Sequence, residues 1–187
     1  PGVRGRTGAV VAEESTALEV MARRFTQFGR LPAGPRAPVD LGELARSVAR
    51  SAVPAERALR IAVADDVPMV SGHVDALGRA LTNVLLNAVE ASTPDSSIAL
   101  HVRRATRAGR AMVAVEVHDG GAGIPASRLE QIWEPYVTHK AGGTGLGLAI
   151  VRQTLLAHDG AVEVESAPGE GTTMRLLLPT DAPTHDS

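Results

Sequence analysis

Leu81-Thr82-Asn83-Val84-Leu85-Leu86-Asn87-Ala88-Val89-Glu90-Ala91-Ser92 is the stretch from which the rest of the chain can be read. It closes the strongest helical pattern in the sequence, Val74 to Ser92, with Leu81, Val84, Leu85 and Ala88 forming the side to be buried. Asn83, Asn87 and Glu90 fall at i, i+4 and i+7, on one helix face. Two amides and a carboxylate in a stripe suit the oxygen ligation of a hard cation such as Mg²⁺, which keeps waters and shares substrate phosphates. Asn on an exposed helix face is also ordinary, so the stripe acquires meaning only from its company.

That company lies downstream. Asp119-Gly120-Gly121-Ala122-Gly123-Ile124-Pro125 directly follows a Val-rich strand. An acid at a strand end, followed by close glycines, lets a flat ligand lie on the backbone while the carboxylate accepts an N–H from it. The alternative is a glycine-rich turn with an Asp cap. Ile132-Trp133-Glu134-Pro135-Tyr136-Val137-Thr138-His139-Lys140 holds two of the four aromatic residues and the single Lys. Gly142-Gly143-Thr144-Gly145-Leu146-Gly147-Leu148-Ala149-Ile150-Val151 puts glycines just before and at a helix N-terminus, where free N–H groups and the helix dipole favour phosphate. It is not the dinucleotide fingerprint, because Leu148 stands at the third required glycine after Gly143 and Gly145, and no P-loop spacing surrounds Lys140.

Outward from these motifs the pattern alternates. Asp40 is the natural N-cap of a helix with Leu41, Leu44, Val48 and Ser51 at helical spacing. Leu59 to Ala64 reads as a short strand, and 97–104 and 111–118 as two strands joined by a turn around Gly109. A short helix over 127–133, a helix from the second glycine stretch to about His158, and strands over 161–166 and 172–178 complete the series. Helices interleaved with hairpin-linked strands predict an α+β fold, a mixed sheet covered on one face. Upstream, Leu18, Met21, Phe25 and Phe28 make a heptad-like seam in a helix over about 13–29, and Leu31 to Pro38 reads as a linker.

Composition narrows the functions. With 187 residues and 44% hydrophobic content the chain can build a core, and a net charge of −2 advertises no nucleic-acid partner. Zero Cys excludes disulfides, Cys-ligated zinc and thiol chemistry. No apolar run approaches the roughly 18 residues of a membrane span, so the stretch is expected to be soluble and without membrane contact.

In this order and at these spacings, the four motifs resemble the N, G1, F and G2 boxes of the sensor histidine kinases of two-component systems. Those kinases lie within the wider ATPase superfamily shared with gyrase, the Hsp90 chaperones and MutL. The likeness covers about residues 39–179, including Pro38-Val39-Asp40-Leu41 and the closing Gly171-Thr172-Thr173-Met174. The F-box segment, Glu134 to Lys140, looks like that of the nitrogen-regulation subgroup.

The resemblance implies a two-layer α/β sandwich, the Bergerat ATP-binding fold, over 39–180. A partial dimerisation region (1–31, second helix only), a linker (32–38) and a tail (181–187) would flank it. It implies ATP and Mg²⁺ as cofactors: Asn87 on the metal with Asn83 beside it, and Asp119 on the adenine amino group with Gly121 and Gly123 admitting the base. Gly143, Thr144, Gly145, Leu146 and Gly147 would form a mobile lid meeting the phosphates, Thr172 would lie near adenine, and Lys140 would reach the phosphates or solvate the lid. Partners would be a histidine-bearing dimerisation helix that this stretch lacks, a second copy, and a response regulator receiver domain, in the cytoplasm, with the parent protein free or attached to the inner membrane. Without its acceptor helix the stretch is expected not to autophosphorylate by itself.

ATP-hydrolysing relatives place a glutamate, as base for water, four residues before the metal-binding Asn. Here that place holds Asn83, whose amide has no useful basicity. Two other readings of the same residues are a nucleotide-binding scaffold or pseudokinase and an ATP-hydrolysing machine.

Overall fold

The computed structural model describes residues 34–138 and 143–180. The helix expected over 13–29, the tail, and His139 and Lys140 lie outside the described residues. In chain order the elements are β1 (Ala37–Val39), α1 (Leu41–Ala52), β2 (Leu59–Val63), β3 (Val70–Gly72), α2 (Val74–Ala91), β4 (Ile98–Arg107), β5 (Arg110–Asp119), α3 (Gly147–Ala157), β6 (Ala161–Ser166) and β7 (Thr172–Pro179). Five strands form one sheet in the order β2-β4-β5-β7-β6, with β2 parallel to β4 and the other neighbours antiparallel. The expected mixed α+β sheet is present, and it has the two-layer form that the resemblance implied.

The start of α1 and the end of α2 are held in different ways. Asp40 caps α1 as its sequence position demands, Oδ1 accepting from the Glu43 amide at 2.9 Å. The last turn of α2 holds no basic residue. Arg57, from the loop after α1, supplies the charge instead: its guanidinium donates to the carbonyls of Val89 and Ser92, each at 3.1 Å, and to that of Thr93. Leu77, Leu81, Val84, Leu85 and Ala88 of α2 meet Ile98, Leu100, Val102, Val113, Val115, Val117, Met174, Leu176 and Leu178 of the sheet in one core. Alternation fixes the register: odd-numbered residues of β5 from Val113 to Asp119, and even-numbered residues of β7 from Thr172 to Leu178, face the helices.

The other face of the sheet carries charge. Arg175, opposite both Glu116 and Glu163, pairs with them at 2.6 and 3.1 Å, and Arg103 reaches Glu116 at 2.6 Å. Burial pushes the Glu116 carboxyl up, but the two guanidinium partners outweigh it and hold the group below its ordinary value.

Three details differ from the sequence reading. Ala37 and Pro38, read as linker, pair with β3 in a separate two-stranded sheet. The short helix expected over 127–133 is two 3₁₀ turns, 126–128 and 131–133. His158, read from the sequence only as the end of a helix, is fully buried, and burial lowers its pKa. Its Nδ1 donates to the Thr154 carbonyl at 2.7 Å and its Nε2 accepts from the His73 amide at 3.0 Å, joining α3 to the start of α2. Among the described residues no helix is long and apolar enough to cross a membrane.

Candidate functional site

One end of the sheet gathers three polar side chains in a row. Asp119 closes β5, Thr172 opens β7 and Ser166 closes β6; Thr172 lies opposite both of the others. The alternation that buries Val113, Val115 and Val117 carries the row into the helix-facing layer, where Asp119 and Thr172 are about one-twentieth exposed (5% and 6%). The Asp119 carboxylate accepts from the Gly121 amide at 2.9 Å, which aims the loop after β5 back over the strand end. Ser166 Oγ accepts from the Ile124 amide at 2.8 Å, donates to the Gly171 carbonyl at 2.7 Å and lies 2.9 Å from Thr172 Oγ1.

The loop's glycines make room for the protein's own chain. A Cβ on Gly123, whose φ is +70°, would stand 1.9 Å from the Ala167 carbonyl oxygen. One on Gly121 would stand 2.3 Å from the Ala91 carbonyl oxygen at the end of α2. The 119–125 loop is thereby clasped between the end of α2 and the β6–β7 turn, and Gly169 donates to the Ala122 carbonyl at 2.8 Å.

A second cluster forms where α3 begins. Its N-cap is Leu146, buried and with no polar side chain to offer the first amides, and its first residue is Gly147. The Asn83 side chain lies 3.8 Å from where a Gly147 Cβ would be, so α2 presents its amide face to the N-terminus of α3. The sequence-predicted Asn83 and Asn87 are thus half-buried and one turn apart on α2. Gly143, Thr144 and Gly145 lead into this N-terminus. The chain pinches at the Tyr136 amide, which donates to the Gly145 carbonyl at 3.0 Å. Trp133 and Ile132 pack on the core, whereas Tyr136 is exposed.

The two clusters are joined by α2. Asn83 lies at α3, and Ala91, at the other cluster, is eight residues on, about 12 Å along the axis. One end therefore offers acceptors to a flat, N–H-bearing ligand, and the other offers a helix N-terminus to anionic groups. Sequence reasoning missed Ser166. Its signal was a polar residue at an inward position of Val162-Glu163-Val164-Glu165-Ser166, readable only once the strand register is known.

The fold is that of an ATPase-type domain, and comparison with known families agrees. The family described as histidine kinase-, DNA gyrase B-, and HSP90-like ATPase matches residues 72–182, and the chain belongs to it. Among curated relatives, the sensory histidine kinase/phosphatase NtrB of Rhodobacter capsulatus is 33% identical over 91% of this chain and 51% of its own length. The sensor histidine kinase ZraS of Escherichia coli is 38% identical over 72% of this chain and 28% of its own. The chain thus spans about half of the first relative and less of the second. Among solved structures, a mycobacterial sensor histidine kinase, MprB, superposes with a TM-score of 0.67 at 29% identity, covering 77% of this chain and 97% of that one. Full-length ShkA in complex with AMPPNP gives 0.77 at 28% identity, covering 93% and 38%.

Proposed function

We propose that the chain is the ATP-binding catalytic domain of a sensor histidine kinase, transferring the γ-phosphoryl of Mg-ATP to a histidine on a dimerisation helix. The observation that carries the reading is the pairing, along one helix, of an acceptor-lined row with an uncapped helix N-terminus. Asp119 would accept the adenine amino N–H, with Thr172 beside it. The amides at the start of α3, with Gly143, Thr144, Gly145, Leu146 and Gly147, would meet the phosphates. Lys140 is assigned to the phosphates on its sequence position alone.

The residues present fit a magnesium ion that leans on the nucleotide. Among the described residues there is no cluster of three or more His, Asp or Glu to cage a metal, and the amide oxygen of Asn87 is the kind of single hard ligand that Mg²⁺ takes alongside waters and phosphates. When bound, the ion would neutralise phosphate charge. Asn83 sits at the start of α3 and cannot act as a base, which supports transfer to a protein nucleophile over hydrolysis of water. The described histidines do not compete for that role. His73 and His158 are bonded to each other away from Asp119, and His101 and His118 lie on the charged face of the sheet. The acceptor histidine, a second copy and a receiver domain as the next acceptor are partners that the kinase reading proposes. A cytoplasmic setting follows from the same reading.

Calorimetric titration with ATP and ADP, with and without Mg²⁺, tests this. Mg²⁺-assisted ATP binding is expected, weakened at least tenfold in Asn87→Ala and in Asp119→Asn, with negligible turnover. A well-folded wild-type chain that binds no nucleotide would sink the reading, and steady hydrolysis would replace it with the ATPase alternative.

A further inference from the structure

Ser166 fixes the polarity of its neighbour by simple proton accounting. A serine hydroxyl has one proton and two lone pairs. The Gly171 carbonyl only accepts, so the 2.7 Å bond takes the proton. The Ile124 amide only donates, so the 2.8 Å bond fills one lone pair. Thr172 Oγ1, at 2.9 Å, then has to donate into the other. With its proton committed, the Thr172 oxygen is left as an acceptor, in the same cross-strand row as the Asp119 carboxylate, itself an acceptor.

We propose that Ser166 is a positioning residue for base selection: by taking the Thr172 proton it leaves Thr172 an acceptor like Asp119 beside it, favouring a purine whose 6-position donates over one whose 6-position is a carbonyl. This deepens the ATP-binding reading and rests on it. The same hydroxyl ties the loop after β5 to the β6–β7 turn, so loss of the serine loosens the pocket as well as unlocking Thr172.

ATP and ITP differ at the 6-position, so their ratio of affinities isolates the polarity effect from the loosening. Wild type, Ser166→Ala and Ser166→Thr are titrated with MgATP and MgITP. Wild type is expected to prefer ATP. In Ser166→Ala the freed Thr172 hydroxyl donates to the 6-oxo group, and the preference narrows about fivefold, about 1 kcal/mol at 25 °C. Ser166→Thr, which keeps a hydroxyl, restores it. Thr172→Val keeps the serine and removes the acceptor; it narrows the preference similarly and provides the test if Ser166→Ala does not fold. Equal weakening of both nucleotides in Ser166→Ala, with the ratio unchanged, would overturn the proposal and leave ATP binding standing. A folded wild type that binds neither nucleotide would overturn both readings.

Discussion

The two ends of α3 are built on opposite principles. At its C-terminus every late carbonyl is taken: Thr154 by the His158 ring, Leu155 by the His158 and Gly160 amides, Leu156 by the Asp159 amide, and Ala157 by Arg36 at 2.5 Å. Asp159, at φ +56°, turns the chain so that the Gly160 and Asp159 bonds close as a Schellman motif. At its N-terminus stands Leu146, with glycines on both sides. A helix end left without a side-chain cap costs stability, and one end of this helix bears that cost while the other is over-determined. The difference teaches where to look for function: the open end faces Asn83 of α2, and the sealed end faces the rest of the fold.

The largest effect should come from unsealing. His158→Ala removes a fully buried ring and strands the His73 amide and the Thr154 carbonyl. Cavity and lost bonds together should destabilise by about 3–5 kcal/mol. Chemical denaturation measures it, and ATP affinity of the remaining folded protein should be unchanged. A loss below about 1 kcal/mol would break the comparison. Arg36→Ala follows, at about 1 kcal/mol: it loses the bond to the Ala157 carbonyl and an exposed pair with Asp159 that adds little.

Acid should act at the sealed end next. Burial is the main cause that lowers the His158 pKa, with Arg36 and His73 adding to it, against bonding to Thr154. The folded value lies below the unfolded one, so as pH falls below about 6.5 the unfolded chain takes up the proton first. The stabilisation is therefore whole above about pH 6.5 and is lost as pH drops through the folded value. Denaturation midpoints measured at intervals from pH 8 to pH 5 should fall, and His158→Ala should flatten that limb. Glu116 acts lower still. Its depressed value makes its contribution whole above the ordinary carboxylate range and lost below it.

How much of this was legible depends on how local each signal is. The α2 stripe, the Asp40 cap and the Gly109 turn are local, and each appears where the sequence put it; the hairpin turns at Ala108 and Gly109, both with positive φ. The β1–β3 pair was illegible because each strand is three residues long and one holds Pro38, leaving no period to read. The 126–133 stretch has helical composition, yet it forms two short 3₁₀ turns, broken at Leu129 and Glu130. Asp119 showed itself through its glycines. Ser166 did not, because its meaning lies in a register across three strands. The burial of His158 was illegible for the same reason: a helix end in sequence says nothing of what packs over it.

The smallest stability effect belongs to the open end, and it is the sharpest test of the contrast. Gly147 is the first residue of α3, and the nearest atoms a Cβ there would meet among the described residues are on the Asn83 side chain, at 3.8 Å, an ordinary contact. Ala is the better helix former by up to about 1 kcal/mol, and this position is at the helix end, where the gain is smaller. Gly147→Ala should therefore leave the denaturation midpoint unchanged or slightly raised. If phosphates approach the amides of this turn, the added methyl crowds them against Asn83, and MgATP affinity should fall severalfold in the same protein that has lost no stability. His158→Ala should show the reverse pair of results. A Gly147→Ala protein as destabilised as Arg36→Ala would mean that the open end is structural after all. Unchanged stability with unchanged affinity would move the phosphates away from the start of α3.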